Sequence, residues 1–301
     1  MNREFLQLLM DKTAFPADAQ LAYLAGLDTL ENAGQGAEME KTIGDFYGDG
    51  FSIANAQPKI KAMAEASGVH EYTVWGLFLA LAAERAKTDY LAKGISEQVF
   101  WDTFCDLKYK VVECKDVQGV WGNFVAFWYD IFFKVNIVKL GRLEYEDIIY
   151  QGKPYEKNGV TLNPGDTVRN IHIPSSGEPF DEAARLESYK LAYEFYKEEL
   201  NGGPLICVCH SWLLYQPYAD ILSPASNIVG FQGDFDILYS EDTEEFGDCW
   251  RLYGADYQKP VEQYPENTSM QRAVKKHLLA GGKVGFGFGV LVFDGEKLVN
   301  R

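Results

Sequence analysis

The sequence predicts an α+β chain in two parts: an all-α N-terminal domain over residues 1–134, then a mixed β-sheet flanked by helices, in α/β order, over 135–301. Three observations predict it. Before residue 105 the composition is Ala-rich, apolar residues recur at helical spacing, and alternation of period two is nearly absent. After about residue 135 the periodicity changes to two. From there strands and helices follow one another, which calls for a right-handed crossover between locally parallel strands.

In the first part, Val74, Leu77, Phe78 and Leu81 fall at i, i+3, i+4 and i+7, one face of a helix from about Glu71 to Ala86. Leu21, Leu24 and Leu27 predict another helix, closed by Asn32-Ala33-Gly34. The three glycines of residues 44–52 predict a loop. In the second part, Ile137 to Tyr145 reads as a strand, with Leu143 and Tyr145 on one face and Arg142, Glu144 and Glu146 on the other. The turn-rich stretch 151–167 predicts a hairpin, and Val168 to Ile173 the next strand. Phe180 to Leu200 reads as a helix with a Tyr189, Tyr193, Tyr196 stripe, stopped by Asn201-Gly202-Gly203-Pro204. Leu205 to Cys209 is apolar enough to be a strand covered on both faces, and a helix is expected from about Leu213 to Leu222. Thr268 and Gln271 form a capping box for a helix ending at Gly281-Gly282. In the last strand Val284, Phe286, Phe288 and Val290 alternate with Gly285, Gly287 and Gly289, so one of its faces is bare.

Composition removes several functions. With 44 acidic against 28 basic residues the net charge is −16, and such a surface repels nucleic-acid phosphates and anionic membranes. The N-terminus lacks an uninterrupted apolar signal segment, and the most apolar window, 205–214, is about half of a membrane span. Five scattered cysteines fit reduced thiols in a cytoplasm, and their spacing offers no metal site.

Five places carry candidate chemistry. The turn from Ile173 to Pro179 joins a strand to a helix, where orphan amides and the helix dipole attract anions. The backbone of Ser175, Ser176 and Gly177 is then a pyrophosphate cradle, with Pro179 at the first helical position. Glu178, Asp181 and Glu182 favour the plainer alternative of an ordinary helix start, since they already complement the dipole. His172, on the strand before that turn, faces away from Ile171 and Ile173 and could take a proton from an amine, or be a hydrogen-bonded core histidine. Cys207, Cys209, His210 and Ser211 lie at the carboxyl end of the apolar strand, where ligands gather in open α/β sheets. Inert buried thiols beside a structural His210 are the plain reading there. Tyr215 and Tyr218, at i and i+3, offer phenols able to protonate a leaving thiolate, or simply pack. The glycine face of 285–289 permits close approach of a backbone or a flat ligand, with close sheet packing as the default.

Several of these segments resemble one bacterial family of acyltransferase-domain proteins. They are Leu140 to Glu146, Ile171-His172-Ile173-Pro174 with Gly177 and Pro179, and Cys209 to Leu214, followed by Ser226-Asn227-Ile228 with Phe231 and by Asn267 to Ala273. That family joins a helical N-acyltransferase N-terminal domain to a GNAT-like C-terminal domain. The resemblance spans most of 120–283 and implies a GNAT-like sheet. In GNAT enzymes the acyl-CoA pyrophosphate rests on the loop after the fourth strand, which corresponds to Ile173 to Phe180 here. The usual basic or amide residue and paired glycines are absent, and only Gly177 remains.

The resemblance implies acyl transfer from acetyl-CoA or another acyl-CoA to the amine of a small molecule. The amides of Ser175 to Gly177 would meet the pyrophosphate, His172 or His210 would be the base, and Tyr215 or Tyr218 the acid. A non-catalytic ligand-binding or regulatory protein of the same shape is the alternative, favoured by the acidic residues after Gly177. A thiol enzyme built on Cys209 and His210 is a third reading.

Overall fold

The computed structural model describes residues 1–300 and divides into two compact units, Met1–Lys139 and Leu140–Arg301. The first unit is helical: α1 (Arg3–Lys12), α2 (Ala17–Asn32), α3 (Gly36–Gly48), α4 (Ile53–Ser67), α5 (Glu71–Ala92), α6 (Glu97–Gln118) and a final turn α7 (Asp130–Phe133). Helix α5 holds the predicted stripe Val74, Leu77, Phe78 and Leu81 fully inside, and it is buried without a break from Thr73 to Ala83. A helix apolar all round belongs at the centre of its bundle, and α5 packs on α1, α2, α3, α4 and α6.

The helix expected from Leu21, Leu24 and Leu27 is α2, closed by Ala33 and Gly34; Leu21 itself is 67% exposed, and the buried face is made by Ala19, Tyr23, Leu27 and Leu30. One expectation for this unit fails. Residues 44–48 are helix rather than loop, because α3 is fixed by burial of Met39, Phe46 and Tyr47 and carries Gly44 and Gly48 along. Tertiary packing here outweighs glycine's low helix propensity of about 1 kcal/mol.

A six-stranded sheet follows in the order β1-β2-β5-β6-β8-β7, five of its strands lying wholly in the second unit. Its strands are β1 (Ile137–Leu140), β2 (Leu143–Ile149), β5 (Thr167–His172), β6 (Leu205–Ser211), β7 (Asp236–Thr243) and β8 (Val284–Phe293). The predicted hairpin is β3 (Tyr155–Lys157) and β4 (Val160–Leu162), turned by Asn158 and Gly159, both at positive φ. The single strand expected over 137–145 is two strands, because Gly141 at φ +66° turns the chain where Ser188 approaches. Ser188 Oγ accepts from Leu143 N at 3.2 Å and donates to the Leu140 carbonyl, tying that turn down.

Helix α8 (Glu182–Phe195) and the single turn α9 (Lys197–Leu200) connect β5 to β6, and those two strands are parallel as the strand–helix–strand order requires. After β6 come a 3-10 turn (Trp212–Leu214), α10 (Tyr218–Ile221) and α11 (Asn227–Gln232), so the single helix expected over 213–222 is broken in two. Helices α12 (Cys249–Tyr253) and α13 (Ser269–Leu279) precede β8, and the Thr268–Gln271 capping box is formed in both directions.

Register divides the sheet into two faces. One face carries Tyr145, Arg169, Cys207, Cys209 and the glycines of β8, and α8 covers part of it: Tyr145 meets Ser188, and the Arg169 guanidinium lies over the Tyr196 ring. The other face carries Glu146, Asn170, His172, Val208, His210 and Phe288, and its lower part is covered by Tyr155 and Leu162 of the hairpin. Strand β7 is the outer edge, and its register against β8 shifts between Ile237 and Tyr239, leaving Leu238 as a bulge. Among the described residues no helix is long and apolar enough to cross a membrane.

Candidate active site

Strands β5 and β6 are paired only at Arg169 with Cys207 and at Asn170 with Val208. Beyond those pairs β5 continues to His172 and β6 to Ser211 without pairing to each other. The centre of the sheet therefore opens at the carboxyl ends of its two parallel strands, the place where open α/β sheets hold ligands.

His172 lines this opening. Its Nε2 lies 2.8 Å from Glu146 Oε2, and the Asn170 side-chain amide donates to that same oxygen at 3.0 Å. A carboxylate only accepts, so the contact with Glu146 calls for a proton on Nε2, while the Asn170 amide nitrogen, itself a donor, also lies 3.1 Å from Nε2. The three side chains meet because antiparallel register sets Glu146 opposite Asn170, and His172 follows two residues on along the same face. His172 and Glu146 are 20% and 17% exposed. Glu146 is the partner that local spacing does not reveal, since 26 residues separate it from His172.

His210 is exposed at the β6 side of the opening, on the same face as His172. Its ring stacks on Phe286 at 5.3 Å. Cys209 points to the opposite face and is fully buried, and burial pushes its thiol and that of Cys207 far above the ordinary range. A buried neutral thiol is not a nucleophile. Cys209 and His210 diverge, so the thiol-enzyme reading fails.

The turn 173–181 is longer than the sequence suggests. Helix α8 starts at Glu182, capped by Asp181, whose side chain accepts from Ala184 N at 2.9 Å. Pro179 thus lies before the cap rather than at the first helical position, because aspartate capping wins locally. Ser175, Ser176 and Gly177 stand in the loop, away from the helix mouth, with Gly177 at φ +74°. No described protein group accepts from their main-chain N–H groups. Basic groups that the sequence reading missed do reach this loop. Arg142 Nη1 donates to the Pro174 carbonyl at 2.9 Å, and Arg185 Nη1 to that of Phe180 at 3.0 Å, with both guanidinium groups over the Phe180 ring. Beside the first turn of α8 lies a cleft of ≈ 350 Å³, lined among others by Glu182, Arg185, Ser226, Gly230 and Asp234.

Tyr215 and Tyr218 lie together in an apolar cluster with Leu222, Tyr253 and Val284. Tyr215 donates to Asp242 at 2.6 Å, and burial followed by that bond raises its pKa to about 12. Tyr218 is fully buried and its hydroxyl has no partner among the described residues. The bare glycine face is filled by protein: a Cβ at Gly287 would stand 2.0 Å from the Leu214 carbonyl oxygen, and one at Gly285 1.9 Å from that of Glu241. Close packing accounts for those glycines.

Residues 4–135 match the N-acyltransferase N-terminal domain, and residues 137–291 match the GNAT-like C-terminal domain. Among solved structures, an acyltransferase in complex with decanoyl-CoA and teicoplanin superposes with a TM-score of 0.71 at 19% identity, over 96% of this chain and 88% of that one. An acyltransferase mutant in complex with octanoyl-CoA also reaches 0.71 at 19% identity, over 95% and 87%. A third, in complex with decanoyl-CoA, gives 0.62 at 21%, over 94% and 86%. At these identities the likeness is one of fold. No curated protein matches the sequence. Because the second domain alone takes in more than half of the chain, and the first precedes it in order, the protein belongs to the family of GNAT-like C-terminal domains carried behind an N-acyltransferase N-terminal domain.

Proposed function

We propose that the protein transfers an acyl group from an acyl-CoA to the amine of a small molecule. The observation that carries this reading is the opening between β5 and β6, with His172 and Glu146 on its rim. Unpaired strand edges there offer amides and carbonyls to an extended amide-bearing arm such as that of coenzyme A. The solved relatives of this fold hold decanoyl-CoA, octanoyl-CoA and CoA, which supports the same co-substrate class here.

In this reading the N–H groups of Ser175, Ser176 and Gly177 meet the pyrophosphate, with Arg142 anchoring their loop through Pro174. His172 takes the proton of the attacking amine, its ring oriented by Glu146. The amine nitrogen attacks the thioester carbonyl, the tetrahedral adduct collapses, and the C–S bond breaks to release the thiolate. Tyr215 is a poor donor to that thiolate, its proton being held toward Asp242, and the enclosed Tyr218 hydroxyl is no better placed.

Titration with acetyl-, octanoyl- and decanoyl-CoA tests the reading. Saturable binding raises the melting temperature, and free thiol appears in step with an amine acceptor. No thermal shift at millimolar acyl-CoA would sink it. A non-catalytic protein of the same shape is the second reading, favoured by Asp181, whose carboxylate occupies the helix mouth. It expects acyl-CoA binding, or binding of another ligand, with no thiol release from any amine.

A further inference from the structure

We infer that the acceptor carries its amine on a flat aromatic group that stacks against His210. The inference rests on the acyl-transfer reading and adds the class of acceptor. Register places His210, Phe288 and Tyr239 in one row across β6, β8 and β7, on the face that also holds His172 and Glu146. Their rings form a ladder. Tyr239 stacks on Phe288 at 5.4 Å and 13°, and His210 stacks on Phe286, the next ring along β8, at 5.3 Å and 29°.

In the sheet, β8 flanks one side of His210 and the opening toward β5 flanks the other. Phe286 and Phe288 occupy the β8 side, so the side toward the opening is where another ring would extend the ladder. A planar π-system fits that position better than a saturated ring of the same size, because stacked faces require flatness. An amine on a short arm from such a ring would lie toward His172. Carboxylates of Glu146 and Glu241 on this face, together with the net charge of −16, attract its cationic form and disfavour acceptors bearing an acid on the same ring.

Binding is read first on the full chain without acyl-CoA. 2-Phenylethylamine is expected to shift the NMR signals of the His210 ring protons, identified by their loss in His210→Phe, while 2-cyclohexylethylamine at equal concentration leaves them in place. Turnover with octanoyl-CoA is then compared for the two amines. The aryl amine is expected to have a kcat/KM roughly tenfold higher, the size of one good stacking contact. His210→Ala should abolish that preference and His210→Phe should keep it. Absence of the shift overturns the inference whether or not acyl-CoA binds. Equal kcat/KM for the two amines, or equal loss of turnover in the Ala and Phe variants, overturns it as well. Failure of acyl-CoA to bind, with the ring shift present, instead removes the transfer reading and leaves the aryl-amine site standing.

Discussion

Arg185 Nε donates to Asp234 Oδ2 at 2.7 Å, and both side chains are only 2% exposed. The same carboxylate oxygen takes the Tyr189 hydroxyl at 3.0 Å, while the guanidinium holds the carbonyl of Phe180. One buried ion pair thus joins α8, the loop before it and the turn after α11. Removing one member leaves the other charged and enclosed, so Asp234→Ala should lower stability by about 3–5 kcal/mol. The double variant Arg185→Met/Asp234→Leu should lose less than the single one, as measured by urea denaturation. A single variant as stable as the parent would show that water already satisfies the pair.

His172→Ala should reduce kcat/KM for acyl transfer by roughly 10²–10⁴, the usual contribution of a general base. Acyl-CoA binding, followed by thermal shift, should be retained. Glu146→Gln removes the carboxylate that orients the ring and should lower kcat without changing the affinity for acyl-CoA. Wild-type turnover in both variants would move the base elsewhere.

The two glycine environments predict opposite signs. Gly287→Ala forces a Cβ to 2.0 Å from a main-chain carbonyl and should destabilise by about 1–3 kcal/mol. Gly44→Ala, in the middle of α3 with nothing within 4 Å of the new methyl, should stabilise by about 0.5–1 kcal/mol. Paired melting curves decide both.

Alkaline stability should reflect the buried phenols. Burial first, and then Asp236 and Asp242 respectively, raises Tyr155 and Tyr215 to about 12, above the unfolded value near 10. Folded protein therefore binds these protons more tightly than unfolded chain. Their stabilising contribution is full below about pH 10 and lost as pH rises through about 12. The urea midpoint should fall across that window, and less steeply in Tyr215→Phe. An identical slope in the variant would count against this source.

Much of the fold was readable because its signals are local. The capping box at Thr268, the Asn158-Gly159 turn and the strand–helix–strand order around α8 each depend on neighbours within a few residues. Where two local signals competed, spacing could not choose: Pro179 and Asp181 both suit a helix start, and the aspartate cap prevailed. Helix α3 ran through two glycines because its aromatic residues found a core elsewhere in the chain. The candidate site was half legible. His172 stood out by residue type, but Glu146 joins it only through antiparallel register, and Arg142 reaches the 173–181 loop from a turn 32 residues upstream.

The bulge at Leu238 bears on how the molecule behaves in a crowd. An outermost strand with regular backbone geometry is a template for a neighbour's strand, and sheets that meet edge to edge grow into aggregates. Here the extra residue breaks the repeat of donors and acceptors, and Glu241 and Asp242 place negative charge along the same strand. Two copies approaching through this rim would meet mismatched spacing and like charge at once. Deleting Leu238 should restore the repeat and make the protein turn cloudy at concentrations where the parent stays clear.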